Sequence, residues 1–193
     1  MPISADWLTA LRQPAEIVAP RLLGSVLQRN IDGSEVRCRI VETEAYDQSD
    51  AASHSYKGQT PRTEVMFGEA GHLYVYFTYG MHYCCNVVTG VPGHGSAVLI
   101  RAVEPLQGEA VLQRRRTGQT GVQLTNGPAK LCQALGIDQR LNGHDLRSGE
   151  LLLELGEPLA QSEVVQTTRI GITKAVDQPW RFYIRGNPYV SKI

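Results

Sequence analysis

The sequence contains no apolar run near the roughly 18 residues that span a bilayer, which argues against a membrane protein. Met1–Ala10 carries neither a basic leader nor a continuous apolar stretch, so no secretion signal is expected there. There are four cysteines, Cys38, Cys84, Cys85 and Cys132, and no Cys-x-x-Cys pair. Adjacent Cys84 and Cys85 would face opposite ways on a strand, which suggests neither a disulfide framework nor a zinc knuckle. The five histidines also lack a paired ligand spacing, so no metal site is expected. Charge of one sign is not in excess either, since nineteen Lys/Arg offset nineteen Asp/Glu. Internal repeats and low-complexity stretches are missing. With 42% apolar and 20% charged residues over 193 positions, this is the composition of one soluble, intracellular domain spanning 1–193.

The neutral total hides a segregation. Residues 40–70 hold Glu42, Glu44, Asp47, Asp50, Glu64 and Glu69 against Lys57 and Arg62, a net of −4. Residues 164–193 hold Arg169, Lys174, Arg181, Arg185 and Lys192 against Asp177, a net of +4. Arg114-Arg115-Arg116 is a further basic cluster. Local charge rather than the total attracts nucleic acid, so a phosphate-binding face is one reading. A solvated helix face is the other for Arg114–Arg116.

Residues 6–23 read as a helix, with Leu8, Leu11, Ile17, Leu22 and Leu23 as core candidates. A strand at Ser25–Arg29, the turn Asp32-Gly33 and a long strand at Val36–Tyr46 form a hairpin pattern. Asp47–Arg62 is polar, contains Gly58 and Pro61, and reads as a long loop of the kind that carries function. Further strands are expected at His72–Tyr79, Tyr83–Thr89, Ser96–Val103, Leu151–Leu155, Val164–Ile170 and Arg181–Arg185. Helices are expected at Leu106–Arg116 and at Pro128–Leu135, the latter opened by a proline and closed by Gly136. Strands joined by short turns outnumber helices, which predicts an α+β fold with a mainly antiparallel core.

On a strand, Glu42, Glu44 and Tyr46 share one face. That pattern suits a solvated face, or a catalytic carboxylate beside an aromatic platform. In Leu73–Phe77, Tyr74 and Tyr76 alternate with apolar residues, as cross-strand packing or as a ligand platform. Tyr79 stands before Gly80, where a turn is expected and a ring could wedge into a base stack. Asn86 and Arg101 interrupt apolar strands and must find partners or face a site; Glu104 is one candidate partner for Arg101. His54 lies in the polar loop, where it would ordinarily be a surface residue.

Seven strings, taken in order, resemble the alkyladenine (3-methylpurine) DNA glycosylase family, in a bacterial-type form. They are Arg21–Gly24, Ile40–Tyr46, Gln59–Arg62, Leu73–Tyr76 with Tyr79-Gly80-Met81, Arg101–Leu106, Gly127–Leu135 and Arg181–Gly186. The resemblance implies one mixed domain with a curved antiparallel sheet and surrounding helices. It implies a monofunctional enzyme, without cofactor, that flips alkylated or deaminated purines out of double-stranded DNA and hydrolyses the N-glycosidic bond. Glu44 would activate the water and Arg101 would help hold it. Tyr46, His54 and Tyr76 would wall the base pocket, Asn86 would crowd the purine C2 position, and Tyr79 would fill the gap left in the duplex. Arg114, Arg115, Lys130, Arg181 and Arg185 are the candidates for phosphate contact. The loop between Tyr46 and His54 is one residue shorter than in vertebrate members. A monomeric, cytoplasmic, nucleoid-associated protein is the corresponding expectation. Two other classes compete: a carbohydrate glycosidase with Glu42 and Glu44 as acid and base, about 6.5–7 Å apart at Cα, and a lesion-binding module without catalysis.

Overall fold

Asp32 and Gly33 both take positive φ, 50° and 76°, as a two-residue hairpin turn requires. They join the first two strands of the sheet. In the computed structural model, which describes residues 5–78 and 81–191, the strands are β1 (Val26–Ile31), β2 (Ser34–Asp47), β3 (Leu73–Thr78), β4 (His82–Val88), β5 (Ser96–Gln107), β6 (Leu151–Glu154), β7 (Val164–Thr167) and β8 (Arg181–Ile184). The α-helices are α1 (Ala5–Leu11), α2 (Ala15–Arg21), α3 (Glu109–Arg115) and α4 (Pro128–Leu135). The fold is α+β. Among the described residues the strand order is β3-β4-β5-β2-β1-β6, with β8 also paired to β2 and β7 to β8. Every one of these pairings is antiparallel.

The length of β2 organises the molecule. Its first half pairs with β1, from Val26↔Arg39 to Ile31↔Ser34. Its second half pairs with β8 through Glu42↔Tyr183, Thr43↔Phe182 and Glu44↔Arg181, while β5 runs along its other edge. Helix α2 packs on β2, and α4 on β4 and β5. Leu22, Leu23, Leu27, Ile40, Leu73, Ile100, Leu112 and Leu131 are fully buried in the resulting core. Each contributes about 1.5–3 kcal/mol by leaving water.

Two helix expectations need correction. The helix predicted over 6–23 is two helices, because Pro14 has no N–H and constrains the residue before it. The carbonyls left free at the break, of Leu11 and Gln13, accept from Gly90 N–H at 3.0 and 3.1 Å. Ile17, expected in the core, is 57% exposed. The helix predicted from Leu106 begins only at Glu109, since β5 stays paired to Gln107. Gly108 makes the turn with φ 82°, and a Cβ there would meet the Glu35 carbonyl at 2.7 Å. Helix α4 keeps its predicted bounds, and no helix among the described residues is long and apolar enough to cross a membrane.

Candidate active site

The β2–β5 ladder is irregular where the chemistry concentrates. Ile40 pairs with Val103, Glu42 with Ala102, and Thr43 with Ile100, so Val41 and Arg101 are left without partners in the register. Such bulges re-aim side chains. Glu42, Glu44 and Arg101 come together here, and both carboxylates are fully buried, which removes the solvated-face reading.

Glu44 accepts from three directions. The Tyr46 hydroxyl donates to Oε2 at 2.8 Å, and the Ile170 backbone N–H donates to Oε1 at 2.8 Å. Arg101 Nη1 lies 3.2 Å from the same Oε1. Burial works against the charge of Arg101, but Glu44 and Glu42 outweigh it and hold its pKa above the ordinary value. Burial, reinforced by Glu44, raises the Tyr46 pKa, which keeps the phenol a donor. Glu42 is differently employed. It accepts from Arg101 Nε at 3.1 Å, Arg181 Nε at 2.7 Å, Ser191 N–H at 2.7 Å and Ser191 Oγ at 3.0 Å.

Over this cluster opens a cleft of about 830 Å³, lined by Tyr46, His54, Tyr76, Asn86, Arg101 and the segment Ile170–Lys174, among others. That is ample for a small organic ligand. Glu44 is fully buried and does not line it, but its three partners Tyr46, Arg101 and Ile170 do. The His54 ring stands edge-on to Tyr76, 4.5 Å between centroids at 82°, and its Nδ1 is 3.1 Å from the Tyr74 hydroxyl. Desolvation at the cleft wall, then the Arg62 charge, lowers the His54 pKa to about 4, although part of the residue is exposed. The ring is therefore neutral near pH 7. Asn86 is buried and donates from Nδ2 to the Tyr74 carbonyl at 3.1 Å. Burial pushes the Cys84 thiol up to about 11, so it lines the cleft as a neutral group rather than a nucleophile.

The polar loop that carries His54 is firmly tied. Ser55 Oγ donates to the Gly95 carbonyl at 2.9 Å, and Gly95 N–H donates to Gln48 Oε1 at 2.9 Å. A Cβ at Gly95 would lie 2.6 Å from both Ser55 Cβ and the Phe67 ring. Sequence reasoning missed three residues that shape the site. Arg169, counted only toward a basic cluster, is buried over the Tyr46 ring and paired with Asp50. Ser191 and the Ile170 amide hold the two glutamates. A hydroxyl near the end of the chain and a backbone N–H carry no sequence signal of their own.

The basic candidates scatter. Arg114, Arg115 and Arg185 are exposed; Arg115 Nε donates to the Gln133 carbonyl and Arg185 Nε to that of Ser162. Lys130 is half-buried, its Nζ on Gln123 Oε1 at 2.8 Å and Asn126 Oδ1 at 2.7 Å. Arg181 corrects the expectation of phosphate contact. It is 5% exposed, bonded to Glu42, with its guanidinium 5.1 Å from the Tyr183 ring. Tyr79 lies outside the described residues. Among the described residues no group of His, Cys, Asp and Glu is arranged to hold a metal ion.

The family model described as "Methylpurine-DNA glycosylase (MPG)" matches residues 9–188. A protein of Carboxydothermus hydrogenoformans is 55% identical over 177 residues, covering 91% of this chain and 93% of its own. One from Methanoculleus marisnigri is 52% identical over 178 residues, with coverage of 91% and 92%. One from Synechococcus is 49% identical over 195 residues, with coverage of 96% and 97%. All three carry the name "Putative 3-methyladenine DNA glycosylase".

Proposed function

Starting from a chain that belongs to the methylpurine-DNA glycosylase family and is an enzyme of that type, we propose that it flips 3-methyladenine, hypoxanthine or ethenoadenine-class purines into the cleft and cuts the N-glycosidic bond with water. One observation carries this reading. Glu44, joined to Tyr46 and Arg101, sits under a cleft whose walls are Tyr46, Tyr76 and His54. A stacked base is unreachable, so it must leave the duplex at a cost of a few kcal/mol, least for damaged pairs. Stacking on tyrosine rings returns about 1–3 kcal/mol per base. In the attack, the water oxygen bonds to C1′, its proton passes to Glu44, and the electron pair of the broken C1′–N bond leaves with the purine. Arg101 holds the water. Because Glu44 is covered, the water enters when Tyr46 or the Ile170 loop yields to the incoming nucleotide.

An alkylated purine is already cationic and leaves readily, whereas hypoxanthine needs a hydrogen bond or a proton. His54, neutral near pH 7, supplies a hydrogen-bonding edge at the wall. Asn86 crowds C2, and Tyr79 occupies the vacated stack. Arg114, Arg115, Lys130 and Arg185 are the phosphate contacts in this reading. A sugar hydrolase would need Glu42 as a free acid, but Glu42 is buried and takes four hydrogen bonds. The test is incubation with duplexes bearing a single 3-methyladenine, hypoxanthine or 1,N6-ethenoadenine, followed by a count of abasic sites. Abasic sites at one or more lesions are expected; intact strands with all three overturn the proposal.

A further inference from the structure

Glu42 is as buried as Glu44, yet it has no part in the attack on C1′. Both of its oxygens are engaged: Arg101 Nε and Arg181 Nε converge on Oε1 with Ser191 Oγ, and the Ser191 N–H takes Oε2. The guanidinium of Arg101 is thereby fixed on three nitrogens, with Nε on Glu42, Nη1 on Glu44 and Nη2 at 3.5 Å from Ser191 Oγ. We propose that Glu42 and Ser191 are positioning residues that split the Arg101 guanidinium between two carboxylates, leaving Glu44 with a lone pair for water.

The argument is geometric and electrostatic. A buried guanidinium facing a single carboxylate closes on it through two parallel bonds, the strongest arrangement the pair can make. With Glu42 neutral, Glu44 would be the one charged acid near Arg101, and the fork would cover the oxygen that must accept a proton. Arg181, the register partner of Glu44 on β8, would also lose its ion pair with Glu42. The four groups Glu42, Glu44, Arg101 and Arg181 sum to zero; removing one carboxylate leaves a buried net positive charge beside the base. The bulge at Arg101 serves the same end, since it turns the side chain to meet residues two apart on β2.

This inference rests on the base-excision reading, and the experiment separates the two. Single-turnover excision from a lesion duplex is measured at saturating enzyme for the wild-type chain, Glu44→Gln, Glu42→Gln, Arg101→Lys, the double variant Glu42→Gln/Arg101→Lys, and Ser191→Ala. Affinity for a duplex with an abasic-site analogue and the melting temperature are measured beside it. If the wild-type chain excises nothing, the excision reading fails. If it excises and Glu44→Gln does not, that reading stands and the positioning role is tested alone. Glu42→Gln should then lose about 10²-fold in rate, the usual cost of a misplacement near 1 Å, with affinity kept. The double variant should be no slower than Arg101→Lys, which cannot bridge both acids, because Glu42 acts through Arg101. A merely structural role would give additive losses in rate. Should Glu42→Gln fail to fold, Ser191→Ala decides. It removes the hydroxyl that donates to Glu42 and accepts from Arg101 Nη2, keeps the Ser191 N–H on Glu42, and should slow excision about fivefold. A wild-type rate in Glu42→Gln, additive losses, or a wild-type rate in Ser191→Ala overturns the proposal.

Discussion

The guanidinium carbon of Arg169 lies 4.7 Å from the centre of the Tyr46 ring while the same group forms a wholly buried ion pair with Asp50. Asp50 belongs to the loop that carries His54, and Arg169 immediately precedes Ile170, whose amide holds Glu44. One pair therefore fastens both flanks of the cleft and backs its aromatic platform. Arg169 also donates to the Ala45 carbonyl at 3.0 Å.

Removing Asp50 should be severe. Asp50→Ala leaves a buried cation unpaired, with Arg169 Nε already without a partner, and such a loss costs about 3–5 kcal/mol. At roughly 2–4 °C per kcal/mol for a chain of this size, the melting temperature should fall by about 6–20 °C. Calorimetry checks it; a shift under about 2 °C would show that the pair is not holding the loops.

Glu44→Gln keeps shape and removes basicity. Binding to a lesion duplex should stay near normal, while single-turnover excision falls by about 10²–10⁴-fold, the usual contribution of a general base. A fully active Glu44→Gln enzyme would end the mechanism proposed for this cleft.

The depressed pKa of His54 gives a pH dependence with a definite sign. Unfolded histidine titrates near 6.5 and His54 in the fold at about 4, so the unfolded chain binds more protons between those values. Its contribution is fully present above about pH 6.5, and stability is lost as pH falls through the window toward 4. The denaturation free energies of the wild-type chain and His54→Asn should therefore diverge in slope only across that window. Equal slopes there, or a difference confined above pH 7, would contradict a neutral ring at the cleft wall.

What was legible in the sequence was local. The Asp32-Gly33 turn and the Pro128…Gly136 helix need only neighbouring residues, and both formed where predicted. The helix break at Pro14 is equally local, and the apolar spacing over 6–23 masks it. The charge segregation was visible, but its meaning was not. Glu42 and Arg181 are 139 positions apart, Asp50 and Arg169 119 apart, and both pairs meet through the folding of the chain end onto β2. Much of what reads as an acidic and a basic segment is internal neutralisation. Glu44, Tyr46 and Arg101 could be singled out because polar groups in apolar strands need a reason; the groups that hold them could not.

That neutralisation sharpens the expectation for DNA binding. Arg169 and Arg181 are buried, and of the five residues read from the sequence as candidates for phosphate contact Arg114, Arg115, Lys130 and Arg185 remain. Each phosphate neutralised contributes about −0.9 to the slope of log K against log salt, so all four together give about −3.6. Arg114→Ala and Arg185→Ala should each flatten that slope by about 0.9 without changing the melting temperature appreciably, because both side chains are exposed. Arg181→Gln should do the reverse, lowering stability by removing one of the two guanidinium partners of buried Glu42 and leaving the salt slope where it was. Duplex affinities titrated from low to moderate salt decide it. An unchanged slope in both exposed variants, or a flattened one in Arg181→Gln, would place the phosphate face elsewhere on the molecule.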